Sequence, residues 1–407
     1  MNILHFYRFS ILERMGGTIR YIDNLCREMA RQGHRVDWLC TTQKMVKSPL
    51  WTELAPGYNI CQIPVHSSWL QKERDYFRKI PEMIDALDQE TGYDAFIIHD
   101  PLFPWLYDRS KFCKKIELTS YFYISSYIEN AYNARYFRKD LPDWKKGPDW
   151  GKSNLRSIIE RYIEHANLLH SDRIIVLAEY TRQMLTDLHG ADLHSKTHMI
   201  PSGVDIHRFS PATDKNAVRE QLNLPHEIPI LFTVRNLIPR MGLENLIWAT
   251  ARVMEEFSGQ DIRLYIGGRG TLREKLQMMI TELGLEHQIH LIGSVSEEEL
   301  PLYYQACDFF VLPTEALEGF GLVTLEALAT NTPVIGTPVG ATPELIKQFD
   351  PDLVTQSIQP DDIARTIINC LQQRDQLLNR WDSRSLIEKK YGWEVITAQV
   401  IDALGCA

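Results

Sequence analysis

Short apolar segments alternate with amphipathic segments along almost the whole chain of 407 residues, and this alternation restricts the fold more than any other feature. At the front, the apolar run NILHFY precedes the helical segment GGTIRYIDNLCREMARQGH, and RVDWLCTT follows it. In the helical segment Ile19, Ile22, Leu25 and Met29 recur at helical spacing, and Gly33 lies where the helix is expected to end. Mostly apolar strands separated by helices are typical of parallel sheets covered on both faces, so the sequence predicts an α/β fold.

The chain is long enough for two domains, because single domains typically hold on the order of 100–200 residues. Prolines and a glycine interrupt the pattern in KTHMIPSGVDIHRFSPA, at residues 196–212, and a second series of strands and helices follows. We therefore expect an N-terminal domain at 1–197 and a C-terminal domain at 198–389, each a Rossmann-like, doubly wound sheet. The domains are expected to face each other across a cleft, and a C-terminal helix within 390–407 is expected to cross back to the first domain.

The composition is that of an ordinary globular protein, with 44% hydrophobic and 24% charged residues. The net charge of −9 argues against general nucleic-acid binding. Seven cysteines are scattered without a C-x-x-C pair, so we expect reduced thiols in a cytoplasmic protein. Arg8, Glu13 and Arg14 interrupt the apolar start of the chain, which is predicted to be a first strand and not a signal peptide.

Residues that follow strands are the functional candidates, since ligands in open α/β sheets bind beyond the carboxyl ends of the strands. Gly16 and Gly17 follow the first strand and open a helix, which suits either a phosphate at the helix N-terminus or a simple tight turn. His99 ends the strand AFIIH, where an imidazole is suited either to hydrogen-bond a substrate or to a purely structural role.

Arginine and glycine follow two later strands. Arg235 and Asn236 come after ILFTV, and Arg240, Met241 and Gly242 are predicted to start the next helix. Guanidinium groups at such a place suit a diphosphate, although a surface arginine is the common alternative. Arg269 belongs to the segment GGRG after the strand RLYI, which suits a nucleobase or ribose, or only a flexible connection.

The segment PTEALEGFGLVTLEALA holds two carboxylates, Glu318 and Glu326, around a glycine turn that leads into a helix. The turn consists of Gly319, Phe320, Gly321 and Leu322. A glycine turn at a helix start presents N–H groups and the positive end of the helix to an anion. Amides for a phosphate and carboxylates for hydroxyl groups suit a sugar nucleotide, whereas the alternative is a buried, capped helix.

Together these motifs resemble the retaining glycosyltransferases of family four, which have the two-domain GT-B architecture. The resemblance begins at GGTIRYIDNLCREMARQGHRV and continues through IIVLAEYTRQML, IPSGVDIHRFSP and TVRNLIPRMGLENLI. It ends with the two-glutamate E-x7-E segment and TPVIGTPVGATPEL. The resemblance therefore covers most of the chain, and the order and spacing of the motifs are highly specific.

The resemblance implies roles for the matching residues. Glu326 is expected to hold the ribose hydroxyls, and Glu318 to lie beside the donor sugar. The Gly16-Gly17 loop is expected to approach the donor phosphate, and His99 to contact the transferred sugar near the reacting carbon. The expected catalytic residues are His99, Glu318 and Arg240. The expected donor-binding residues are Gly16, Gly17, Arg235, Asn236, Arg240, Arg269, Glu318, Gly319, Phe320, Gly321, Leu322 and Glu326.

The chain departs from the family pattern G-R-L-x-x-x-K-G, whose Arg and Lys neutralise the leaving diphosphate. Here these two positions hold Asn236 and Met241, while Arg235 and Arg240 are each one residue away. Losing a group that stabilises developing charge costs on the order of 3 kcal/mol in the transition state. Two hypotheses follow: either Arg235 and Arg240 supply the charge, or the protein is a slow or non-catalytic relative.

The expected function is transfer of a hexose or N-acetylhexosamine from a nucleoside-diphosphate sugar to an acceptor hydroxyl, with retention and without a metal or cofactor. The alternatives are a GT-B phosphorylase or hydrolase, and a pseudo-enzyme that binds a sugar nucleotide without turnover. The D-x-D sequence Asp350-Pro351-Asp352 lies in a predicted loop and is not interpreted as a metal site. The acceptor is expected to be a glycan, a lipid-linked molecule or a small molecule, and no nucleic-acid partner is expected.

Residues 121–157 form an irregular segment that is rich in Tyr, Trp and basic residues. One interpretation is contact with the acceptor or with a membrane surface, which places the cytoplasmic protein at the inner face of the membrane. The other interpretation is a solvated connector.

Overall fold

A computed structural model describes residues 1–13, 16–44, 48–66, 68–103, 109–125, 127–129, 132, 155–257 and 261–405. The strands of these residues are β1 Asn2–Phe6, β2 Arg35–Thr42, β3 Leu50–Ala55, β4 Tyr58–Pro64, β5 Ala95–Ile98, β6 Glu117–Phe122, β7 Arg173–Val176, β8 Thr197–Met199, β9 Ile230–Val234, β10 Arg263–Gly267, β11 Ile289–Gly293, β12 Phe309–Leu312 and β13 Val334–Gly336.

The helices of the described residues are α1 Gly17–Arg31, α2 Trp69–Thr91, α3 Leu155–His170, α4 Glu179–His189, α5 Lys215–Gln221, α6 Leu243–Glu256, α7 Arg273–Glu282, α8 Glu299–Ala306, α9 Leu322–Ala329, α10 Thr342–Ile346, α11 Pro360–Gln372, α12 Arg374–Arg380, α13 Arg384–Tyr391 and α14 Trp393–Ala403. Short 3-10 turns occur at Arg109–Lys111, Ala191–Lys196, Pro239–Met241 and Pro351–Leu353. Every helix of the described part of the chain is too short or too polar to cross a lipid bilayer.

The chain divides into two compact units. The first comprises Met1–Gly203 and Trp393–Ala407, and the second comprises Val204–Gly392. The C-terminal helix α14 thus belongs to the same unit as the N-terminal strands. It packs beside α1, where the ring of Trp393 meets that of Tyr21 edge to face at 5.3 Å between centroids.

Within the described residues, the first unit contains an eight-stranded sheet in the order β3-β4-β2-β1-β5-β6-β7-β8. The pairs from β4 to β8 along this order are parallel, as the apolar strands predict. The edge strand β3 is antiparallel to β4, which the sequence pattern did not indicate. A tight turn at Pro56 and Gly57 joins them, and Gly57 adopts the positive φ of 81° that such hairpin turns favour.

Helix α1 confirms the predicted amphipathic segment. Ile19, Ile22, Leu25 and Met29 are all buried against the sheet. The helix ends at Arg31, and Gly33 follows with φ of 90° while its N–H donates to the carbonyl of Ala30. The periodicity of the sequence therefore identified both the buried face of α1 and its C-terminal glycine.

The second unit contains a five-stranded parallel sheet in the order β11-β10-β9-β12-β13, again within the described residues. Because the strands are parallel, their carboxyl ends lie along one edge. Three segments leave that edge: the β9 loop at residues 235–242, the β10 loop at 268–272 and the β12 loop at 313–321. These loops contain the candidate residues Arg235, Asn236, Arg240, Arg269 and Glu318.

The predicted strands AFIIHD, IIVLA, ILFTVR, RLYIGG, IHLIG, FFVLP and PVIGT correspond to β5, β7, β9, β10, β11, β12 and β13. One local prediction is wrong. Arg240 and Met241 do not begin the following helix but lie in the 3-10 turn Pro239–Met241, and Gly242 with φ of 68° precedes α6. In the segment 121–157, residues 126, 130, 131 and 133–154 lie outside the described residues, so its proposed contact with an acceptor or a membrane stays a prediction.

Candidate functional site

The β9 and β10 loops of the second unit touch through their backbones. The N–H of Leu237 donates to the carbonyl of Arg269 at 2.9 Å. A Cβ atom on Gly268 would lie 1.8 Å from the carbonyl oxygen of Arg235, and one on Gly270 would lie 2.3 Å from that of Leu237. The glycines of the GGRG segment therefore permit close packing of two backbones.

The β12 loop packs against the β9 loop in the same way. The N–H of Glu315 donates to the carbonyl of Arg240 at 2.9 Å, and Arg240 Nη1 donates to the carbonyl of Leu317 at 3.0 Å. Leu317 has a positive φ of 60°, an uncommon conformation for a residue with a side chain. This strained residue directly precedes Glu318, so the two loops together fix where the Glu318 backbone lies.

The carboxylate of Glu318 forms a buried ion pair with Arg235. Arg235 Nη2 lies 2.5 Å from Glu318 Oε2, and the hydroxyl of Thr314 donates to the same oxygen at 2.9 Å. The side chains of Arg235 and Glu318 are only 6% and 10% exposed. Removing one member of such a pair leaves an uncompensated buried charge, so the two residues hold each other in place.

The pKa of Glu318 reflects two opposing effects. Burial raises the pKa, because it penalises the charged form, but the charge and hydrogen bond of Arg235 outweigh it. Arg240 and the Thr314 hydroxyl act in the same direction, and the pKa of Glu318 lies below its ordinary value. The carboxylate is therefore ionised at neutral pH and accepts hydrogen bonds without donating one.

Met241 forms the second contact of the Arg235 guanidinium. Arg235 Nη2 and Nε lie 2.9 and 3.2 Å from the sulfur of Met241. Met241 is buried, whereas the side chain of Asn236 is exposed. The two positions at which the chain departs from the family pattern are thus different: Met241 lies inside the site beside Arg235, and Asn236 faces solvent.

The second carboxylate of the segment, Glu326, lies in the second turn of α9. The hydroxyl of Tyr304 in α8 donates to Glu326 Oε2 at 2.8 Å, and both residues are buried. Helix α9 begins at Leu322, after Gly321 with φ of 83° and without a side-chain cap. The N–H of Thr324 donates to the carbonyl of Gly321 at 2.8 Å. The N–H groups of Leu322 and Val323 precede the first intrahelical hydrogen bond and suit an anion beside Gly319, Phe320 and Gly321.

The positions of the remaining candidates of the second unit differ. Arg269 is exposed on the β10 loop. Asp350 accepts from the N–H of Asp352 and caps the turn Pro351–Leu353. Among the described residues, no group of three His, Cys, Asp or Glu side chains is arranged to hold a metal ion.

In the first unit, His99 is buried and both of its ring nitrogens are engaged. Nε2 lies 3.0 Å from Nδ1 of His5, and Nδ1 lies 2.7 Å from the hydroxyl of Tyr123. Burial, followed by the neighbouring His5, lowers the pKa of His99 well below its ordinary value, so the imidazole is neutral. Both ring nitrogens are thus engaged within the protein, and the contact of His99 with a transferred sugar stays a prediction.

Gly16 and Gly17 lie where α1 begins. Gly16 has an extended backbone with φ of 176° and provides no side-chain cap, and a Cβ atom added to it would meet no other atom within 4 Å. The space where a side chain of residue 16 would lie is therefore unoccupied by the described atoms. The role of this turn in binding a phosphate stays a prediction.

Two residues of the site escaped sequence reasoning. Thr314 shares Glu318 Oε2 with Arg235, and its position four residues before Glu318 in the same loop was a usable signal. Tyr304, the hydrogen-bond donor to Glu326, is 22 residues away on another helix, and no local pattern marks it.

Two family descriptions match the chain and together cover most of it. "Glycosyltransferase Family 4" matches residues 15–208, and "Glycosyl transferases group 1" matches residues 214–386. The chain is also similar to a GDP-mannose-dependent monoacylated alpha-(1-6)-phosphatidylinositol monomannoside mannosyltransferase of Corynebacterium glutamicum, with 27% identity over 57% of this chain and 62% of that protein. The match thus spans about three fifths of that relative's length. A D-inositol 3-phosphate glycosyltransferase of Corynebacterium efficiens is 24% identical over 95% of this chain and 89% of its own length.

Solved structures share the fold over nearly full length. The sucrose-phosphate synthase of Thermosynechococcus elongatus superposes with a TM-score of 0.78 at 21% identity, covering 98% of this chain and 97% of that one. WaaG, a glycosyltransferase involved in lipopolysaccharide biosynthesis, gives a TM-score of 0.74 at 14% identity and covers both chains completely. The two parallel-sheet units and the two family matches lead to one conclusion: the chain belongs to the family-four glycosyltransferases of the GT-B fold.

Proposed function

We propose that this protein transfers a hexose or an N-acetylhexosamine from a nucleoside-diphosphate sugar to an acceptor hydroxyl, with retention at the reacting carbon and without a metal ion. The second unit holds the donor. The observation that carries the proposal is the ionised, buried Glu318, which Arg235 and Thr314 hold just before the open N-terminus of α9. A fixed carboxylate suits a sugar hydroxyl, and a helix N-terminus suits a phosphate.

The donor groups are assigned from their chemistry. Glu326, oriented by Tyr304, accepts hydrogen bonds from the ribose hydroxyls. The amides around Phe320, Gly321 and Leu322 bind the diphosphate, and Arg240 at the same sheet edge adds positive charge as the sugar–phosphate bond breaks. Retention is proposed to follow from attack on the face that the diphosphate leaves, with a leaving phosphate oxygen accepting the acceptor's proton.

The names of the relatives suggest which sugar nucleotides to test first as donors. Three relatives are named for GDP-mannose, and one structural neighbour was solved with UDP and glucose. Glycans, lipid-linked molecules and small metabolites are the acceptor classes proposed for this chain. Contact of residues 121–157 with a membrane surface belongs to the same proposal.

The test measures thermal stabilisation and turnover with GDP-mannose, UDP-glucose and UDP-N-acetylglucosamine. A donor present at 100 times its dissociation constant stabilises the folded state by about 2.7 kcal/mol, which shifts the melting temperature measurably. Release of the nucleoside diphosphate with each acceptor class, with and without EDTA, reports turnover and metal dependence. Proton NMR of the product anomer reports retention. No stabilisation by any sugar nucleotide would sink the proposal.

A non-catalytic sugar-nucleotide-binding protein is the second candidate, and Met241 favours it. The family pattern carries a lysine at this position, and Met241 brings no charge. The pair Asn236→Arg with Met241→Lys separates the two functions. Turnover that appears only in this double variant would support the non-catalytic protein, whereas turnover in the natural chain that Arg240→Ala abolishes supports the enzyme.

A further inference from the structure

The guanidinium of Arg235 stands where the sequence pattern lacks a cation. Met and Lys share their first side-chain carbons, and the Met sulfur takes the place of the lysine Cδ. Nη2 and Nε of Arg235 lie 2.9 and 3.2 Å from the sulfur of Met241. A lysine at position 241 would therefore extend into the space beside this guanidinium. In this chain the cation beside position 241 is the guanidinium of Arg235.

The same guanidinium determines which oxygen of Glu318 is available. Both hydrogen bonds that Glu318 accepts, from Arg235 Nη2 and from the Thr314 hydroxyl, end on Oε2. Within the described residues, Oε1 takes part in neither of them. A carboxylate held by one oxygen keeps the other for a ligand with a hydroxyl donor.

We propose, on the basis of the function proposed above, that Arg235 is the positioning residue of the donor site. It fixes Glu318 through Oε2, so that Oε1 accepts a hydroxyl of the transferred sugar, and its guanidinium, which lies beside residue 241, is the cation that pairs with Glu318. Arg235 thereby acts on the sugar through Glu318. Its position in a buried pair, 6% exposed, agrees with an indirect role and not with direct wrapping of a phosphate.

Arg235→Gln should affect the sugar nucleotide more than the nucleoside diphosphate that lacks the sugar. Arg235→Gln releases Glu318, so kcat/KM for the sugar nucleotide falls by about 100-fold or more, as for loss of a preorganised site group. The dissociation constant of the corresponding nucleoside diphosphate, which lacks the sugar, stays within about threefold of the natural value. Equal losses for both ligands would show that Arg235 binds the phosphates directly and would overturn the positioning role.

Rescue by a cation from the neighbouring position is the second part of the test. Arg235→Gln combined with Met241→Lys is expected to have a kcat/KM at least about tenfold higher than Arg235→Gln alone, because the lysine ammonium would replace the missing guanidinium beside Glu318. Arg252→Gln, which removes an exposed arginine paired with Glu255 and Asp361, serves as the control and leaves both ligands unaffected. A double variant no better than Arg235→Gln would overturn the exchange of cations.

A titration of Glu318 without substrate tests the role of Arg235 independently of the proposed function. It remains informative where a variant loses activity because it folds poorly. The Glu318 carboxyl is titrated by carbon-13 NMR in the natural protein and in Arg235→Gln, with Arg240 as the remaining cation that faces it. The pKa of Glu318 is expected to rise in the variant. If it rises while no sugar nucleotide binds the natural protein, the proposed function fails and the sugar-facing role of Oε1 fails with it, but the clamp on Oε2 stands. An unchanged pKa of Glu318 would overturn its hydrogen bond to Arg235 through Oε2.

The double variant Arg235→Gln with Glu318→Gln removes the unpaired buried charge. Its melting temperature is expected to recover, whereas turnover is not.

Discussion

Gly340 approaches Glu318 so closely that a Cβ atom at position 340 would lie 2.1 Å from the Glu318 carbonyl oxygen. Gly340 also has a positive φ of 60°, and the N–H of the next residue, Ala341, donates to that carbonyl at 3.0 Å. The segment that follows β13 therefore contacts the backbone carbonyl of Glu318, while Arg235 binds its side-chain carboxylate. Two separate contacts fix one candidate site residue.

Gly340→Ala is expected to destabilise the protein by about 2–4 kcal/mol, since it combines a left-handed backbone with a steric clash. Urea unfolding followed by circular dichroism measures this change. The matched control is Gly284→Ala, because Gly284 has φ of 66° but a Cβ atom there would meet nothing within 4 Å. The control isolates the backbone strain, for which about 1 kcal/mol is expected. Equal costs for both variants would contradict the contact with Glu318.

Glu318 is expected to make stability depend on pH in the acidic range. Its pKa is lower in the folded protein than in the unfolded chain, so its contribution is present at neutral pH and is lost as the pH falls below about 4. The difference in unfolding free energy between the natural protein and Glu318→Gln should therefore shrink between pH 7 and pH 3, by about 1.4 kcal/mol per unit of pKa difference. A difference that stays constant with pH would show that the ion pair does not lower the pKa of Glu318.

Tyr304→Phe tests the support of the second carboxylate. Loss of the hydrogen bond to Glu326 Oε2 is expected to cost about 1–3 kcal/mol of stability, because it removes a donor from a buried carboxylate. Affinity for the sugar nucleotide should fall together with affinity for the nucleoside alone, since the proposed partner of Glu326 is the ribose. Tyr303→Phe on the same helix is the control, because the ring of Tyr303 stacks on Phe232 and keeps that contact without its hydroxyl. Calorimetric titration of both variants makes the comparison.

The sequence predicted the fold because its signals are local. Strands such as β5 and β9 are short apolar runs, and the buried face of α1 repeats at helical spacing. The strand β3 was missed because none of its residues is fully buried: they alternate between partly buried and exposed as far as Leu54, with Trp51 about half exposed. A strand of this kind is defined by its pairing with β4 and not by its own pattern.

The candidate site could be predicted only in part. Glycines and carboxylates near strand ends pointed to Glu318 and Glu326, since topology brings strand ends together. The sequence did not reveal that Arg235 holds Glu318, because 83 residues separate them and the contact depends on β9 and β12 being neighbours in the sheet. For the same reason the sequence did not reveal that Met241, in the turn Pro239–Met241, contacts the Arg235 guanidinium.

Gly203→Ala tests how the C-terminal helix joins the first unit. A Cβ atom at position 203 would lie 2.5 Å from the ring of Trp393, the first residue of α14, and Trp393 in turn packs on Tyr21. The substitution should displace the indole and cost about 1–3 kcal/mol, as for an overpacked core. In a Trp393→Leu background the same substitution should cost at least about 0.5 kcal/mol less, since residues in contact couple in a double-mutant cycle. Additive costs would show that the glycine and the indole do not constrain each other, and hydrogen exchange of the α14 amides would then be unchanged by Gly203→Ala.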